Sequence, residues 1–332
     1  FLTSFYNSAT VGEHMLQKII ILGTGGTIAG WASDPEQPQR YQSAQLGVET
    51  LLASSAVNLQ DLEFEQVAQI DSKDASDEFW RKLLSRALHH LQRPDVQGLV
   101  ITHGTDTLEE TAFFLSALLP CDKPVALTAA MRAANHPQAD GPENVRNAIS
   151  AVAQTRFKGV AVVMAGRWWA GSQVQKLKAY APEAVGVFEP WAWGDLLESM
   201  PPVILSPPES VTPWPGPETV LAHLQWPRVE VLLSHAGAQA WLLKALLKDT
   251  DPPLSGLVLA ATGAGTWHQS WDGVIVELLA RGTSIWVSTR CALDRLAPRH
   301  EQGIEWVPYT PVQARVGLML TLIGSGLQKP VP

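Results

Sequence analysis

Short apolar segments alternate with longer, helix-length segments along the first half of the chain. Four of the apolar segments have no polar face, which indicates strands buried on both sides: residues 18–23, 98–102, 124–128 and 159–164. The segments predicted to be helices are residues 76–90, 108–119 and 142–154. Buried strands that alternate with helices predict an α/β fold, namely a parallel-sheet N-terminal domain with helices on both faces.

The composition then changes, because eight prolines fall between residues 190 and 217. Proline has no backbone N–H and restricts φ, so we interpret residues 191–217 as a Pro-rich linker. After this segment the alternation resumes, with predicted strands at 229–234, 256–260 and 283–288 and predicted helices at 239–248, 271–281 and 311–323. This second series predicts a smaller α/β C-terminal domain.

These observations divide the chain into an N-terminal α/β domain over residues 15–190, the linker over 191–217 and the C-terminal α/β domain over 218–332. Residues 1–14 are polar and irregular, and they lack the basic and apolar regions of a signal peptide. We interpret them as an extension or a cloning remnant ahead of Met15.

Charge and composition exclude several functional classes. Lys and Arg number 24 against 32 for Asp and Glu, and the net charge of −8 disfavours binding to nucleic acid or to an anionic membrane surface. No apolar run approaches the roughly 18 residues of a membrane-spanning helix. The two cysteines, Cys121 and Cys291, cannot form a disulfide framework, and no Cys/His spacing typical of a metal site is present. We therefore expect no nucleic acid, membrane or metal partner.

A glycine-rich segment, residues 23–30 (GTGGTIAG), directly follows the first predicted strand. Ligands bind at the carboxyl ends of the strands in a parallel sheet, so this turn is a candidate binding site. It is not a dinucleotide fingerprint, because Ile28 stands where the third glycine of G-x-G-x-x-G belongs. A phosphate-binding turn is one interpretation. A catalytic threonine hydroxyl, activated by a neighbouring group, is the other.

A second polar segment, residues 103–111, follows the second predicted strand. Thr107 and Glu110 have the spacing of a capping box, which predicts the start of a helix. Thr105 and Asp106 precede that cap and are suited to binding a substrate ammonium and stabilising an oxyanion. His103 adjoins them, and we interpret it as an orienting group rather than a base.

Residues 23–30 and 101–111 (ITHGTDTLEET) together resemble the bacterial-type L-asparaginase family of amidohydrolases. The resemblance extends from about residue 18 to residue 323 and includes the segments 121–125 (CDKPV), 130–132 (AMR) and 139–142 (ADGP). It implies an active site in the N-terminal domain that hydrolyses the side-chain amide of L-asparagine to L-aspartate and ammonia through a threonine acyl-enzyme. No cofactor and no metal is implied.

The resemblance also implies catalytic roles for particular residues. Thr27 matches the nucleophile of the first loop, and Tyr41 matches the tyrosine that closes over the site. Thr105, Asp106 and Lys176 would form a second cluster in which the lysine moves protons to and from a threonine hydroxyl. Lys178 lies two residues away and leaves an ambiguity that we resolve in favour of Lys176. Which threonine attacks first stays open, although we favour Thr27.

The resemblance implies three residues that bind the substrate, and Lys73 is a further candidate. Ser72 would bind the α-carboxylate, Asp106 the α-ammonium, and the Ala130 carbonyl the leaving amide nitrogen or the attacking water. Lys73 stands where periplasmic-type relatives carry a glutamine, and it could pair with the α-carboxylate or point to solvent.

The C-terminal domain departs further from the family pattern. Relatives present an asparagine and a glutamate to the substrate amine of the neighbouring subunit. Thr266 stands at the place of the asparagine, and Glu301 is only a weak candidate for the glutamate. We therefore expect altered and weaker discrimination between asparagine and glutamine. A glutaminase-leaning enzyme, another small-amide amidohydrolase such as the ammonia-liberating amidotransferase subunit, and a catalytically weak binding or regulatory homologue are the alternatives.

Family membership implies a homodimer or homotetramer with active sites at the intimate dimer interface. Cys121 falls where periplasmic relatives keep half of a disulfide, but no cysteine lies near Arg93, the position of its partner. We therefore expect a cytoplasmic protein.

Overall fold

The structure is a computed structural model that describes residues 17–34, 37, 39–55, 60–187, 193–195, 203–210, 213–249 and 251–326. The predicted extension over residues 1–14 lies outside the described residues, as do parts of the predicted linker. Each predicted strand and helix named above is present, with its ends within two residues of the prediction.

The strands of the first half are β1 (Lys18–Gly25), β2 (Trp31–Ala32), β3 (Tyr41–Gln42), β4 (Leu62–Ile70), β5 (Val96–Thr102), β6 (Pro124–Thr128), β7 (Phe157–Met164), β8 (Arg167–Ala170), β9 (Val174–Lys176), β10 (Val185–Val187), β11 (Trp193–Asp195) and β12 (Val203–Ile204). The helices of this half are α1 (Val48–Ser54), α2 (Asp77–Leu91), α3 (Leu108–Leu118) and α4 (Gly141–Ala153).

The elements of the second half are α5 (Pro217–Ala222), β13 (Arg228–Leu233), α6 (Trp241–Lys248), β14 (Leu254–Ala261), α7 (Asp272–Ala280), β15 (Ser284–Thr289), β16 (Arg299–Glu301), β17 (Ile304–Trp306) and α8 (Pro311–Gly324). Short 3₁₀ helices span Thr27–Ala29, Ser72–Asp74 and Gln269–Trp271. Within the described residues, no helix has the length and apolar character required to cross a membrane.

The N-terminal sheet has the order β11-β8-β7-β6-β5-β1-β4, and β12 pairs with β7. Strands β4, β1, β5, β6 and β7 are parallel, whereas β8 and β11 add antiparallel pairs at one edge. The parallel order requires crossover helices, which α2, α3 and α4 supply. The predicted fold class is therefore confirmed.

Burial on both faces explains the continuous apolar runs. In β1, Ile20 and Leu22 lie in the same buried cluster as the apolar residues of α2 and α3. Ile19 and Ile21 lie in a second cluster, with the apolar residues of α1 and α4. Because successive side chains of a strand point to opposite faces, helices on both sides require apolar residues at every position.

The C-terminal sheet has the order β13-β14-β15-β17-β16, in which only the β16–β17 pair is antiparallel. One face carries α6 and α7, and the other face carries α8. Helix α8 also packs on α3, so its apolar residues belong to the same core cluster as those of the N-terminal sheet. The two domains of one chain therefore share a continuous apolar core.

Strand β4 is the main element that hydrophobic periodicity misses. It is the edge strand of the sheet, and its acidic residues Glu63 and Glu65 are held by arginines instead of being buried. Arg93 donates to Glu63 at 2.7 Å, and Arg86 donates to Glu65 at 2.7 Å. Arg93, followed by Lys18, holds the pKa of the Glu63 carboxyl well below its usual value, at about 2. Because charged residues interrupt the apolar pattern of an edge strand, hydrophobic periodicity does not predict this strand.

Candidate active site

The segments that follow strands β1, β4 and β5 meet at glycine residues. Gly25 and Gly26, at the end of β1, have φ values of 101° and 79°. A Cβ on Gly25 would lie 2.5 Å from the Ile70 carbonyl oxygen at the end of β4, and a Cβ on Gly26 would lie 2.4 Å from Gly104 Cα after β5. Only glycine permits this approach. The glycine-rich turn therefore brings the polar segments together.

The two threonines of this turn have different partners. The Thr24 hydroxyl is buried and donates to the Thr102 carbonyl at 2.8 Å, so it links the ends of β1 and β5. The Thr27 Oγ1 lies 2.9 Å from the Tyr41 hydroxyl, and either atom can donate. Strands β2 and β3 form an antiparallel pair that returns Tyr41 to the turn, and a Cβ on Gly30 would lie 2.9 Å from the Tyr41 ring.

Thr105, Asp106 and Lys176 form a second cluster, as the resemblance implies. The Lys176 Nζ donates to Thr105 Oγ1 at 3.0 Å and to Asp106 Oδ1 at 2.5 Å. Thr105 is buried, whereas the Lys176 side chain is 21% exposed and that of Asp106 is 53% exposed. The Asp106 carboxylate therefore keeps a solvent-facing surface while it pairs with the lysine. The Lys178 side chain is exposed, and Lys176 is the lysine at this cluster.

Ser72 lies beside the second cluster, and Lys73 is held by its own neighbours. Ser72 is buried, and a Cβ on Gly104 would lie 2.4 Å from its Oγ. The Lys73 ammonium donates to Asp71 at 2.7 Å and to Asp74 at 3.2 Å, with 61% of its side chain exposed. These two carboxylates raise the pKa of Lys73, Asp71 having the larger effect. Of the two alternatives for Lys73, the geometry shows an exposed side chain paired within its own turn.

Ala130 follows β6 and is buried. The Asp140 carboxylate accepts hydrogen bonds from the Met131 and Arg132 backbone amides, both at 2.9 Å. Asn144 donates to the Ala129 carbonyl at 2.9 Å. The backbone around Ala130 is therefore held by side chains from the start of α4.

The helix start predicted at Thr107 is confirmed, since Thr107 is the N-cap residue of α3, but the predicted capping box is wrong. The Thr107 side chain makes no capping hydrogen bond to α3, and its hydroxyl instead donates to the Ser72 carbonyl at 2.8 Å. Glu110 is largely buried, and this burial raises the pKa of its carboxyl to about 7 despite the opposing charge of Arg315. The Thr107 hydroxyl therefore donates to a tertiary partner and does not accept from the local backbone amide that a capping box would use.

His103 is neutral, and its tautomer follows from its partners. The Gly104 carbonyl lies 2.7 Å from Nδ1 and can only accept, so Nδ1 carries the proton. Nε2 then accepts from the Thr111 hydroxyl at 3.1 Å, and that hydroxyl in turn accepts from the Trp80 indole N–H at 3.0 Å. Burial lowers the pKa of His103 to about 4. Both ring nitrogens are committed to holding the loop.

Glu109 is a site residue that sequence reasoning missed. Its carboxylate accepts from the Lys176 backbone amide at 2.7 Å and from the Thr310 hydroxyl at 3.2 Å. Burial raises the pKa of this carboxyl, while the two hydrogen bonds and the charge of Arg295 oppose the rise. No local signal points to this role, because the Lys176 amide and the Thr310 hydroxyl are 67 and 201 residues away in the chain. Among the described residues, no group of three or more His, Cys, Asp or Glu side chains could hold a metal ion.

Hydroxyl, ammonium and carboxylate groups gathered at the carboxyl ends of parallel strands are typical of an α/β enzyme that acts on a small polar substrate. Residues 18–196 match the family model described as "Asparaginase, N-terminal", and residues 228–328 match "Glutaminase/Asparaginase C-terminal domain". The chain therefore belongs to the asparaginase family, and it is an asparaginase-type amidohydrolase.

Individual relatives agree with this assignment. The chain is 33% identical over 322 residues to L-asparaginase 2 of Escherichia coli strain K12, which covers 92% of this chain and 89% of the relative. It is 30% identical over 319 residues to a glutaminase-asparaginase of Pseudomonas fluorescens biotype A, covering 92% and 86%. The crystal structure of a probable cytoplasmic L-asparaginase from Campylobacter jejuni superposes with a TM-score of 0.77 at 30% identity, covering 92% and 95%.

We predict that Gly26→Ala impairs activity through the loop contact. Its Cβ would meet Gly104, so the two loops must separate, and a displacement of about 1 Å can cost on the order of a hundredfold in rate. Gly166→Ala is the matched control, since Gly166 has a similar φ of 74° and no atom within 4 Å of an added Cβ. Gly26 also has a ψ of −172°, a backbone region that only glycine occupies, so Gly26→Ala carries a backbone cost in addition to the contact with Gly104. Ammonia release and thermal unfolding midpoints check the prediction, and equal activity in both variants contradicts it.

We predict that His103 makes the protein sensitive to acid. The unfolded histidine, with a pKa of about 6.5, binds a proton before the folded one does. The stability due to neutral His103 is therefore complete above pH 6.5 and is lost as the pH falls towards about 4. Between pH 7 and 4.5 the loss is on the order of 2 kcal/mol.

Urea unfolding at pH 7 and pH 4.5, at one protein concentration, measures this loss. His103→Gln should remove it, whereas His89→Gln, at an exposed position on α2, should leave it unchanged. The prediction fails if the wild type and His103→Gln lose the same unfolding free energy.

Proposed function

We propose that this amidohydrolase is an L-asparaginase that hydrolyses the side-chain amide of L-asparagine to L-aspartate and ammonia through a threonine acyl-enzyme. The observation that carries the proposal is the meeting of two hydroxyl clusters. Thr27 with Tyr41 lies on one side of the Gly26–Gly104 approach, and Thr105 with Asp106 and Lys176 lies on the other.

In the first half of the reaction, the Thr27 Oγ1 attacks the side-chain amide carbon. Its proton passes to the Tyr41 oxygen while the Tyr41 proton passes to the amide nitrogen, so the tyrosine stays neutral throughout. The C–O bond of the acyl-enzyme forms, the C–N bond breaks, and ammonia leaves. The 2.9 Å contact between the two hydroxyls, in which either can donate, supports this relay.

In the second half, water hydrolyses the ester. The water oxygen bonds to the acyl carbon and gives a proton to the Thr105 oxygen, while Thr105 gives its own to the amine form of Lys176. When the ester C–O bond breaks, the Thr27 oxygen takes the Tyr41 proton and Tyr41 takes the proton of the new carboxylic acid, so the product leaves as a carboxylate. Lys176 then releases its proton to solvent. The 3.0 Å contact between Lys176 and Thr105 supports this role. An order in which Thr105 attacks first is the alternative, because both threonines have a neighbouring group that can take a proton.

Substrate binding is proposed to use the free surfaces of the same clusters. The exposed part of the Asp106 carboxylate suits the α-ammonium, and Ser72, packed against Gly104, suits the α-carboxylate. The Ala130 carbonyl, on a backbone held by Asp140, suits the leaving nitrogen. Lys73 is paired with Asp71 and Asp74, so we assign it no direct contact with the substrate.

We further propose a homodimer or homotetramer in which the active sites lie at the intimate dimer interface. Leu177, Tyr180 and Leu293 are exposed apolar residues close in sequence to Lys176 or to the segment that contacts β9, and subunit contact would cover them. A cytoplasmic location is proposed because Cys121 and Cys291 are both free thiols.

Thr27→Ala tests the nucleophile. We expect ammonia release from L-asparagine to fall at least about a thousandfold in kcat, because the acyl-enzyme cannot form. Thr219→Ala, an exposed threonine on α5, is the matched control and should retain full activity. Mass spectrometry of acid-quenched enzyme should find the acyl adduct on Thr27 in the wild type. An adduct on Thr105, or unchanged turnover in Thr27→Ala, rejects the assignment.

A glutaminase-leaning activity is the second candidate, and Thr266 favours it. The Thr266 hydroxyl lies 2.9 Å from the Thr262 hydroxyl in a tight turn, so it has less reach and fewer donors than the asparagine it replaces. We expect Thr266→Asn to raise the preference for L-asparagine over L-glutamine about tenfold.

Ammonia release from L-asparagine, D-asparagine and L-glutamine over a concentration series measures this preference. A wild-type enzyme that strongly prefers asparagine, with micromolar half-saturation, contradicts the expectation.

A further inference from the structure

The strand that carries Lys176 is not part of the central sheet. Strand β9 has three residues and pairs with β10 in a separate two-stranded sheet. Its position relative to Thr105 is therefore not set by the ladder that aligns β1, β5 and β6. Other contacts must hold the lysine where its ammonium reaches the threonine and the aspartate.

Besides its pairing with β10 and its packing on α3, the segment of Lys176 makes side-chain hydrogen bonds to the C-terminal domain of the same chain. The buried Gln313 side chain, on α8, donates to the Val174 carbonyl at 2.9 Å. The Gln175 side chain donates to the Ala292 carbonyl at 2.9 Å and accepts from Arg295 at 3.1 Å. From the N-terminal domain, Glu109 accepts from the Lys176 backbone amide at 2.7 Å.

These contacts close into a ring. The second oxygen of Glu109 accepts from the Thr310 hydroxyl, and Thr310 is the N-cap of α8. The Thr310 Oγ1 accepts from the Gln313 amide at 3.2 Å, while the Gln313 side chain accepts from the Thr310 amide at 3.1 Å. The same Gln313 side chain then reaches Val174, two residues before Lys176. Every polar atom named has a donor or acceptor of the right kind, so the ring defines one arrangement.

The hydrogen bonds of the ring fit an ionised Glu109. Thr310 uses its hydroxyl proton for Glu109 and its oxygen for the Gln313 amide, so both oxygens of Glu109 act as acceptors. A buried hydrogen-bonded network of this kind loses its geometry when one member is removed, because the remaining groups are left without partners.

We propose that the C-terminal domain positions the catalytic lysine of its own chain through Glu109, Thr310 and Gln313, with Glu109 as a positioning residue. This inference rests on the proposed function, since it takes Lys176 as the proton carrier of the reaction. The helix that joins the apolar cores of the two domains thus also sets the distance between Lys176 and Thr105.

Thr310→Val tests the proposal, because valine keeps the shape of threonine and removes the hydroxyl. We expect kcat for L-asparagine to fall about tenfold or more while KM changes less than about twofold, since Thr310 contacts Glu109 and Gln313 and none of the proposed substrate-binding groups. Thr310→Ser retains the hydroxyl and should restore kcat to within about twofold of the wild type. A merely structural role for the threonine methyl group would not give this rescue.

Glu109→Gln tests the same ring without removing the N-cap of α8. The glutamine amide has one accepting oxygen and one donating nitrogen, so it cannot accept both hydrogen bonds that Glu109 accepts. We therefore expect a similar fall in kcat at a similar KM. Glu110→Gln is the matched control, because it makes the same change at the next residue. Glu110 is not part of the ring, and its carboxyl interacts with the charge of Arg315. Glu110→Gln should keep kcat within about twofold. Thermal unfolding midpoints identify any variant that fails to fold, and Glu109→Gln decides the matter if Thr310→Val does not fold.

The proposal is overturned if Thr310→Val and Glu109→Gln keep the wild-type kcat, if Thr310→Ser loses as much as Thr310→Val, or if only KM changes. Lys176→Met separates this failure from that of the proposed function. If Lys176→Met abolishes turnover while the ring variants do not affect it, only the positioning role fails. If Lys176→Met retains turnover, the proposed role of the lysine fails, and with it the inference.

Discussion

The parallel strands at the centre of the N-terminal sheet are buried on both faces, and this burial decides where polar chemistry can occur. Strand β1 has no solvent-facing side, because α2 and α3 cover one face and α1 and α4 cover the other. An uncompensated polar side chain within such a strand would lose its hydration. The reactive groups are therefore confined to the segments that follow the strands, and the glycines at the end of β1 let those segments touch.

At those ends, tertiary contacts override local sequence preferences. Thr107 has the spacing of a helix cap, yet its hydroxyl donates to Ser72, which joins the β4 and β5 segments. His103 does not act as a base, because its two ring nitrogens are hydrogen-bonded to Gly104 and Thr111. In both cases the side chain makes hydrogen bonds that fix the loop geometry, and it serves neither as a helix cap nor as a base. As a result, Thr27 lies in the segment after β1 and Thr105 in the segment after β5, with the two segments in contact at Gly26 and Gly104.

The C-terminal domain takes part in this arrangement within its own chain. Helix α8 contributes apolar residues to the core of the N-terminal sheet and begins with a capping box that reaches the strand of Lys176. Helix α8 therefore packs against the N-terminal core and also hydrogen-bonds to β9, the strand that carries Lys176. A division of the chain into an active-site domain and a separate second domain describes the sheets well but hides this connection.

The amino-acid sequence by itself determined the fold class, the central strands with their main helices, and the two polar segments at strand ends. Those features are local, since apolar runs and their spacing record burial directly. It did not reveal β4, whose Glu63 and Glu65 are charged residues of an edge strand, nor the role of Glu109. Only the tertiary structure decided which hydrogen-bond partners meet, because the partners are distant in the chain. Thr107 and Ser72 are 35 residues apart, and Thr310 and Glu109 are 201 apart, so no local pattern encodes their contact.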